Sequence, residues 1–176
     1  EKVMHPLFLK KVGEYSIKPC TLDDLKDVIN INLTTLPEHY SDLFFENLLN
    51  GSPETFLVAE KNELLVGYIM CRIEYGFSNL KRFAVGRKGH IVSLAILEDH
   101  RRKKIGNALV EEALKGMAKQ SCRESFLEVR VSNQAAVLMY QNLGFQITSR
   151  HEFYYQEGEA AFLMCRDLTN SDDQIK

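Results

Sequence analysis

The chain has 176 residues, 45% hydrophobic and 26% charged, and its 22 Lys and Arg against 24 Asp and Glu leave a formal net charge of −2. That length suits one domain with a real core, and that charge excludes a global positive field able to gather nucleic acid or an anionic membrane. The cysteines Cys20, Cys71, Cys122 and Cys165 form no CxxC and no Cys/His cluster, which fits reduced thiols and an expected cytoplasmic location; no apolar run approaches a membrane span.

In chain order, EYSIKP reads as a short strand. Thr21 with Asp24 three residues later resembles a capping box, and Leu22, Leu25, Val28 and Ile29 keep helical spacing beyond it. LTTLPEHY breaks that helix at Pro37, and Ser41 is placed to cap a second one around LFFENLL. TFLVAE and ELLVGYIMCRIEY read as a hairpin joined at KN. GFSNLKRFAVGRKG reads as a polar, glycine-punctuated loop, and HIVSLAIL as a buried strand that begins at His90.

A helix from Ile105 follows, with Ile105, Ala108, Leu109 and Ala113 inward and Glu111 and Lys115 as an outward i,i+4 pair. SFLEVRVSN predicts a strand. QAAVLMYQNLG predicts a helix with Ala136, Met139, Tyr140 and Leu143 on one face and Gly144 closing it. FQITSRHEFYY and EAAFLMCRDL complete the pattern as strands. The order β-α-α-β-β-β-α-β-α-β-β implies an α/β fold, a mixed central β-sheet flanked by helices. The expected domain is 15–168, preceded by an extension (1–14) and followed by a polar tail (169–176).

The charge run Arg101, Arg102, Lys103, Lys104 stands just before a helix. A helix start carries partial positive charge from unpaired N–H groups, so cations there are repelled. Either the run is a solvated patch, or an anion docks where several backbone N–H groups converge. Pyrophosphate is the natural tenant.

From His90 to Phe145 the order of motifs resembles the Gcn5-related N-acetyltransferase fold, whose pattern at this turn is R/Q-x-x-G-x-G/A. Arg101 takes the first place and Gly106 the last, while Lys104 replaces the middle glycine. LPEHY, GFSN, RKGHIVSLA, RVSNQAAVLMYQNLGF and YYQEGEAAFLMCRDL are similar to the catalytic subunits of N-terminal acetyltransferase A and their archaeal single-chain relatives. The resemblance implies acetyl-coenzyme A as cosubstrate. Its pyrophosphate would lie on Arg101, Arg102, Lys103, Lys104, Ile105, Gly106 and Asn107, its pantetheine beside Leu94, Ala95 and Ile96, with Asn133 a further contact. It also implies Glu38 as general base, His90 as a second base, and Tyr140 as donor of a proton to the departing thiolate. Tyr40, Tyr154 and Tyr155 would flank the peptide groove.

The implied reaction is transfer of acetyl to the α-amine of protein N-termini by direct attack in a ternary complex. A free α-amine titrates at roughly 7.7–8.0 and lysine at about 10.4, so the former offers the larger neutral fraction and leaves the base modest work. Glu128 is expected beside His90, as its orienting partner or as a second ligand to an adventitious metal, which two ligands alone hold weakly. No cysteine matches a catalytic position, so an acetyl-enzyme is disfavoured. Transfer to lysine side chains or small amines is the enzymatic alternative, and a nucleic-acid module using HRRKK the non-enzymatic one. The ribosome or its nascent chain is an admissible partner, an auxiliary subunit is not required, and no membrane partner is expected.

Overall fold

The computed structural model describes residues 8–169; the first half of the expected extension and the polar tail from 170 lie outside the described residues. Strands are β1 (Lys10–Val12), β2 (Tyr15–Pro19), β3 (Leu57–Lys61), β4 (Leu64–Phe77), β5 (Val85–Ile96), β6 (Glu124–Arg130), β7 (Gln146–His151) and β8 (Ala161–Asp167). Helices are α1 (Leu25–Thr35), α2 (Asp42–Gly51), α3 (Ile105–Lys119) and α4 (Gln134–Asn142). The strand order is β1-β2-β3-β4-β5-β6-β8-β7. β5 and β6 are parallel, with Lys88, Gly89 and His90 opposite Glu124, Ser125 and Phe126, while the pairs β1–β2, β2–β3, β3–β4, β6–β8 and β7–β8 are antiparallel. This is the mixed sheet with helices that the sequence predicts.

The local signals act as read. The Thr21 N–H donates to Asp24 Oδ2 at 2.9 Å, and Ser41 Oγ accepts from the Phe44 N–H at 3.2 Å, each pairing a donor that a helix start leaves unmet. Asn62 and Glu63 turn β3 into β4 with φ of 50° and 67°. Gly144, at φ 89°, closes α4.

Two compact units divide the chain: residues up to Arg72 with Val92–Gly116, and Ile73–Ile91 with residues from Met117 onward. The first unit has a core in which Val28, Ile31, Phe45, Phe56, Val58 and Met70 are buried together. Each such side chain contributes about 1.5–3 kcal/mol when fully buried. The inward stripe of α3 is as predicted, with Ile105, Ala108, Leu109 and Ala113 at most 2% exposed. In the second unit Phe126, Leu127, Val129, Met164 and Cys165 are buried along β6 and β8. Arg166 there donates to the Leu143 carbonyl at 2.8 Å, satisfying the end of α4.

Three expectations need correction. VGRKG is strand, not loop, so His90 sits inside β5 rather than at its start. Its glycines mark close approach: a Cβ at Gly86 would lie 2.6 Å from Arg123 Cδ, and one at Gly89 2.2 Å from Met117 Sδ. Second, Glu111 pairs with Lys10 at 2.8 Å and Lys115 with Glu112 at 2.9 Å, so the Glu111–Lys115 pair does not form. A strand partner on β1 captured the first carboxylate. Third, FYY lies beyond the end of β7 at His151, in the connection to β8. All four cysteines are buried thiols that form no disulfide. No helix among the described residues is long and apolar enough to cross a membrane.

Candidate active site

The expected site residues fall into two groups, one in each unit. In the first unit β5 ends at Ile96, a turn follows, and α3 starts at Ile105. The Lys104 carbonyl accepts from the Ala108 N–H at 3.1 Å, which makes Lys104 the cap and sets the N–H groups of Ile105, Gly106 and Asn107 in the first turn, where no intrahelical acceptor exists. Arg102, Lys103 and Lys104 are exposed. Lys104, the residue in place of the middle glycine, has φ 62°, and Arg102 has φ 60°. Two side chains with Cβ atoms thus hold the left-handed conformation that glycine adopts at no steric cost.

Arg101 turns back: its Nε donates to the Ile96 carbonyl at 3.0 Å, tying the turn to the end of β5. His100 Nδ1 lies 2.8 Å from the Tyr15 hydroxyl, a second tie. Ala95 is buried, and Leu94 and Ile96 are half-buried. β4 approaches this segment closely, since a Cβ on Gly67 would meet the Ala95 carbonyl oxygen at 2.9 Å.

Glu38, half-buried, lies in the loop after α1. Its backbone carbonyl accepts from Asn32 Nδ2 at 3.0 Å. Two residues on, Tyr40 stacks on Phe44 at 4.9 Å between centroids and meets Phe45 edge-on at 6.0 Å. The loop is therefore held on both sides of Glu38. Asn32 is a residue that sequence reasoning missed; the one signal was a polar side chain next to Ile31 on the inward face of an otherwise apolar stripe.

In the second unit His90 Nε2 lies 2.7 Å from Glu128 Oε2, so the two side chains share a face as expected. The imidazole is stacked on Phe126 at 4.4 Å and 9°. Glu74 on β4, which nothing in the sequence pointed to, places Oε1 3.8 Å from His90 Nδ1. Carboxylates thus stand toward both ring nitrogens, an arrangement that fixes the orientation of the ring. Among the described residues no trio of His, Cys, Asp or Glu side chains is spaced to hold a metal ion.

Tyr140 on α4 is 6% exposed and meets Phe145 edge-on at 5.5 Å. Asn133 caps α4, its Oδ1 accepting from the Ala136 N–H at 3.2 Å. Tyr154 and Tyr155 sit in the β7–β8 connection, edge to face at 5.0 Å. The Arg130 guanidinium lies 3.9 Å from the Tyr155 ring centre and pairs with Glu157 and Glu159. Ser132 donates to Glu159 Oε2 at 2.6 Å. That hydroxyl first, and then Arg130, hold the Glu159 carboxyl below the usual carboxylate range.

Comparison with known proteins bears on both groups. The acetyltransferase (GNAT) family model matches residues 25–145. An N-alpha-acetyltransferase of Sulfurisphaera tokodaii is 45% identical over 161 residues, 90% of this chain and 96% of its own. Among solved structures, a chain of the NatC complex bound to Gag peptide and CoA superposes with a TM-score of 0.80 at 28% identity, over 89% of this chain and 99% of that one. Arabidopsis thaliana Naa50, in complex with the bisubstrate analogue CoA-Ac-MVNAL, gives 0.76 at 25% identity, over 88% and 99%.

Proposed function

Because the chain belongs to the acetyltransferase (GNAT) family, we propose that it transfers acetyl from acetyl-coenzyme A to the α-amino group of protein N-termini, by direct attack in a ternary complex. The observation that carries this reading is the turn before α3. It holds exposed cations and two left-handed, non-glycine residues at a helix start. Each feature is unfavourable in isolation, and a bound diphosphate makes the cations favourable. The 45% identity to an archaeal N-alpha-acetyltransferase over nearly the whole of both chains supports the substrate class.

The cosubstrate supplies an acetyl thioester, an acyl group already activated. Arg102, Lys103 and Lys104 hold its diphosphate together with the first N–H groups of α3. Leu94, Ala95 and Ile96 line its pantetheine, and one of their N–H groups donates to the carbonyl oxygen as charge builds there. Asn133 is a further contact. Glu38 takes a proton from the substrate ammonium, directly or through one water. The freed amine forms the C–N bond, the C–S bond breaks, Tyr140 gives its phenolic proton to the departing thiolate, and the second proton of the attacking nitrogen leaves as the amide forms and restores the phenol by way of solvent. His90, oriented by Glu128 and Glu74, is a second proton acceptor. Tyr40, Tyr154 and Tyr155 hold the first residues of the polypeptide.

We assign the reaction to residues 15–168, place it in the cytoplasm on nascent or finished chains, and assign it to this chain without an auxiliary subunit. The test is release of coenzyme A thiol by the purified chain alone, given acetyl-coenzyme A and two peptide sets. One set has a free N-terminus; the other has a blocked N-terminus and a free lysine. Turnover of the first set alone is expected. Faster turnover of the second set, or none of either, refutes the assignment.

A further inference from the structure

The loop that carries Glu38 is anchored by a side chain whose own surroundings are unusual. Asn32 is 1% exposed and Tyr68 is fully buried, while Ser93 is 6% exposed. Asn32 Nδ2 lies 3.0 Å from the Glu38 carbonyl oxygen and 3.1 Å from the Tyr68 hydroxyl. The Tyr68 hydroxyl lies 2.7 Å from Ser93 Oγ. A backbone carbonyl can only accept, so the Asn32 amide must face it with its NH2 group. One hydrogen of that group goes to Glu38 and the other to Tyr68. The Tyr68 hydroxyl, accepting there, is also hydrogen-bonded to Ser93 Oγ, where either hydroxyl can donate.

The chain of hydrogen bonds runs from Asn32 to Tyr68 to Ser93. It crosses from α1 through β4 to β5, and Ser93 immediately precedes Leu94. Asn32 Oδ1, by contrast, has no partner among the described residues. Leaving a buried carbonyl oxygen unpaired is destabilising. The amide therefore serves the loop carbonyl and the tyrosine at its own oxygen's expense. The Tyr68 ring is edge-on to Phe45 at 6.4 Å, so packing fixes the ring while the hydroxyl is reserved for the network. Burial pushes the Tyr68 phenol up to about 12, which keeps it a donor at any working pH.

We propose that Asn32, Tyr68 and Ser93 are positioning residues, a buried polar brace that registers the Glu38 loop against the strand segment beginning at Leu94. The proposal rests on Glu38 being the general base. A brace of this kind acts on turnover, because a proton acceptor displaced by a fraction of an ångström still permits binding but no longer matches the reacting geometry.

The test is a double-mutant cycle with Tyr68→Phe, which keeps the ring and removes the hydroxyl, in the wild-type and Glu38→Gln backgrounds. Thermal unfolding is followed in parallel, and Ser93→Ala, which leaves ring and amide in place, is the second probe if Tyr68→Phe fails to fold. Expected in the wild-type background is a fall in kcat of roughly 3- to 10-fold, with KM for acetyl-coenzyme A within about twofold. In the Glu38→Gln background the same substitution is expected to change kcat by less than about twofold, since the group it positions is gone. Equal loss in both backgrounds overturns the brace and leaves Glu38 as base. Unchanged kcat in folded Tyr68→Phe overturns it as well. Wild-type kcat in Glu38→Gln alone overturns the base assignment, and the brace falls with it.

Discussion

Replacing Lys104 by glycine should move stability and cosubstrate affinity in opposite directions. Lys104 holds φ 62°, a conformation that costs an L-residue with a Cβ about 1–2 kcal/mol and glycine almost nothing. A cation in the first turn of a helix adds about 0.3–1 kcal/mol of repulsion that the substitution also removes. Against these gains stands the greater freedom of glycine in the unfolded chain, about 0.5–1 kcal/mol. The free protein should therefore gain about 1 kcal/mol, a rise in Tm of about 2–4 °C at this length. Acetyl-coenzyme A loses one partner for its phosphates, worth about 1 kcal/mol for charges near 4 Å in water-like surroundings, or roughly fivefold in Kd. The affinity difference should shrink between 0.1 M and 1 M salt, as the Debye length falls from about 10 Å to about 3 Å. Lys104→Gln separates the two effects, because it keeps the strain and loses the charge. Calorimetric Tm and titration of acetyl-coenzyme A on the three proteins decide the matter. A glycine variant that melts lower and binds as tightly as wild type would refute the reasoning.

Gly116→Ala should destabilise, although alanine is the better helix former by about 1 kcal/mol. The new Cβ would stand 2.4 Å from the Glu54 carbonyl oxygen, and overpacking against a backbone atom costs about 1–3 kcal/mol; a lower denaturant midpoint is the expected result. Stability should also fall at alkaline pH through Cys20 and Tyr68, both pushed up to about 12 by burial. A raised folded pKa contributes stability that is complete below the unfolded value and lost as pH climbs through the folded one, so the decline runs from about 9 toward 12, and Tyr68→Phe should flatten its upper part. Arg130→Ala removes the guanidinium from Tyr155 and Glu159 and should raise KM for peptide several-fold while leaving that for acetyl-coenzyme A unchanged. In the wild type the same loosening should come with acid, since the depressed Glu159 carboxyl supports its contacts above the ordinary carboxylate range and loses them as pH falls through its lowered value.

What could be read from the letters was what depends on near neighbours. Thr21 with Asp24, Ser41, Asn133 and Gly144 each pair with backbone within a few positions, so their residue types announce them. The start of β5 was illegible because Gly86 and Gly89 ordinarily punctuate loops. Here they admit the side chains of Arg123 and Met117, more than twenty-five positions further on. Glu74 could not be foreseen beside His90, since register between strands is settled by the whole sheet. The same holds for Lys10 taking Glu111: β1 has three residues, too few for any alternation to show. His90 and Glu128 were found because each lies on a short run whose strand character is plain, and a parallel pairing of His90 with Phe126 leaves Glu128 two positions along the same face.

Departure from the usual pattern at the α3 turn is informative for the same reason. A turn that needs φ near 60° selects glycine when nothing else is asked of the position. Lysine there accepts backbone strain and dipole repulsion together, and neither is offset by a contact among the described residues, since the side chain is exposed. A solvated charge run explains exposure, but it gives no reason for the charge to occupy the one place where both penalties apply. A bound diphosphate gives that reason. On the proposed function it would turn the repulsion among Arg102, Lys103, Lys104 and the helix start into shared attraction for one ligand.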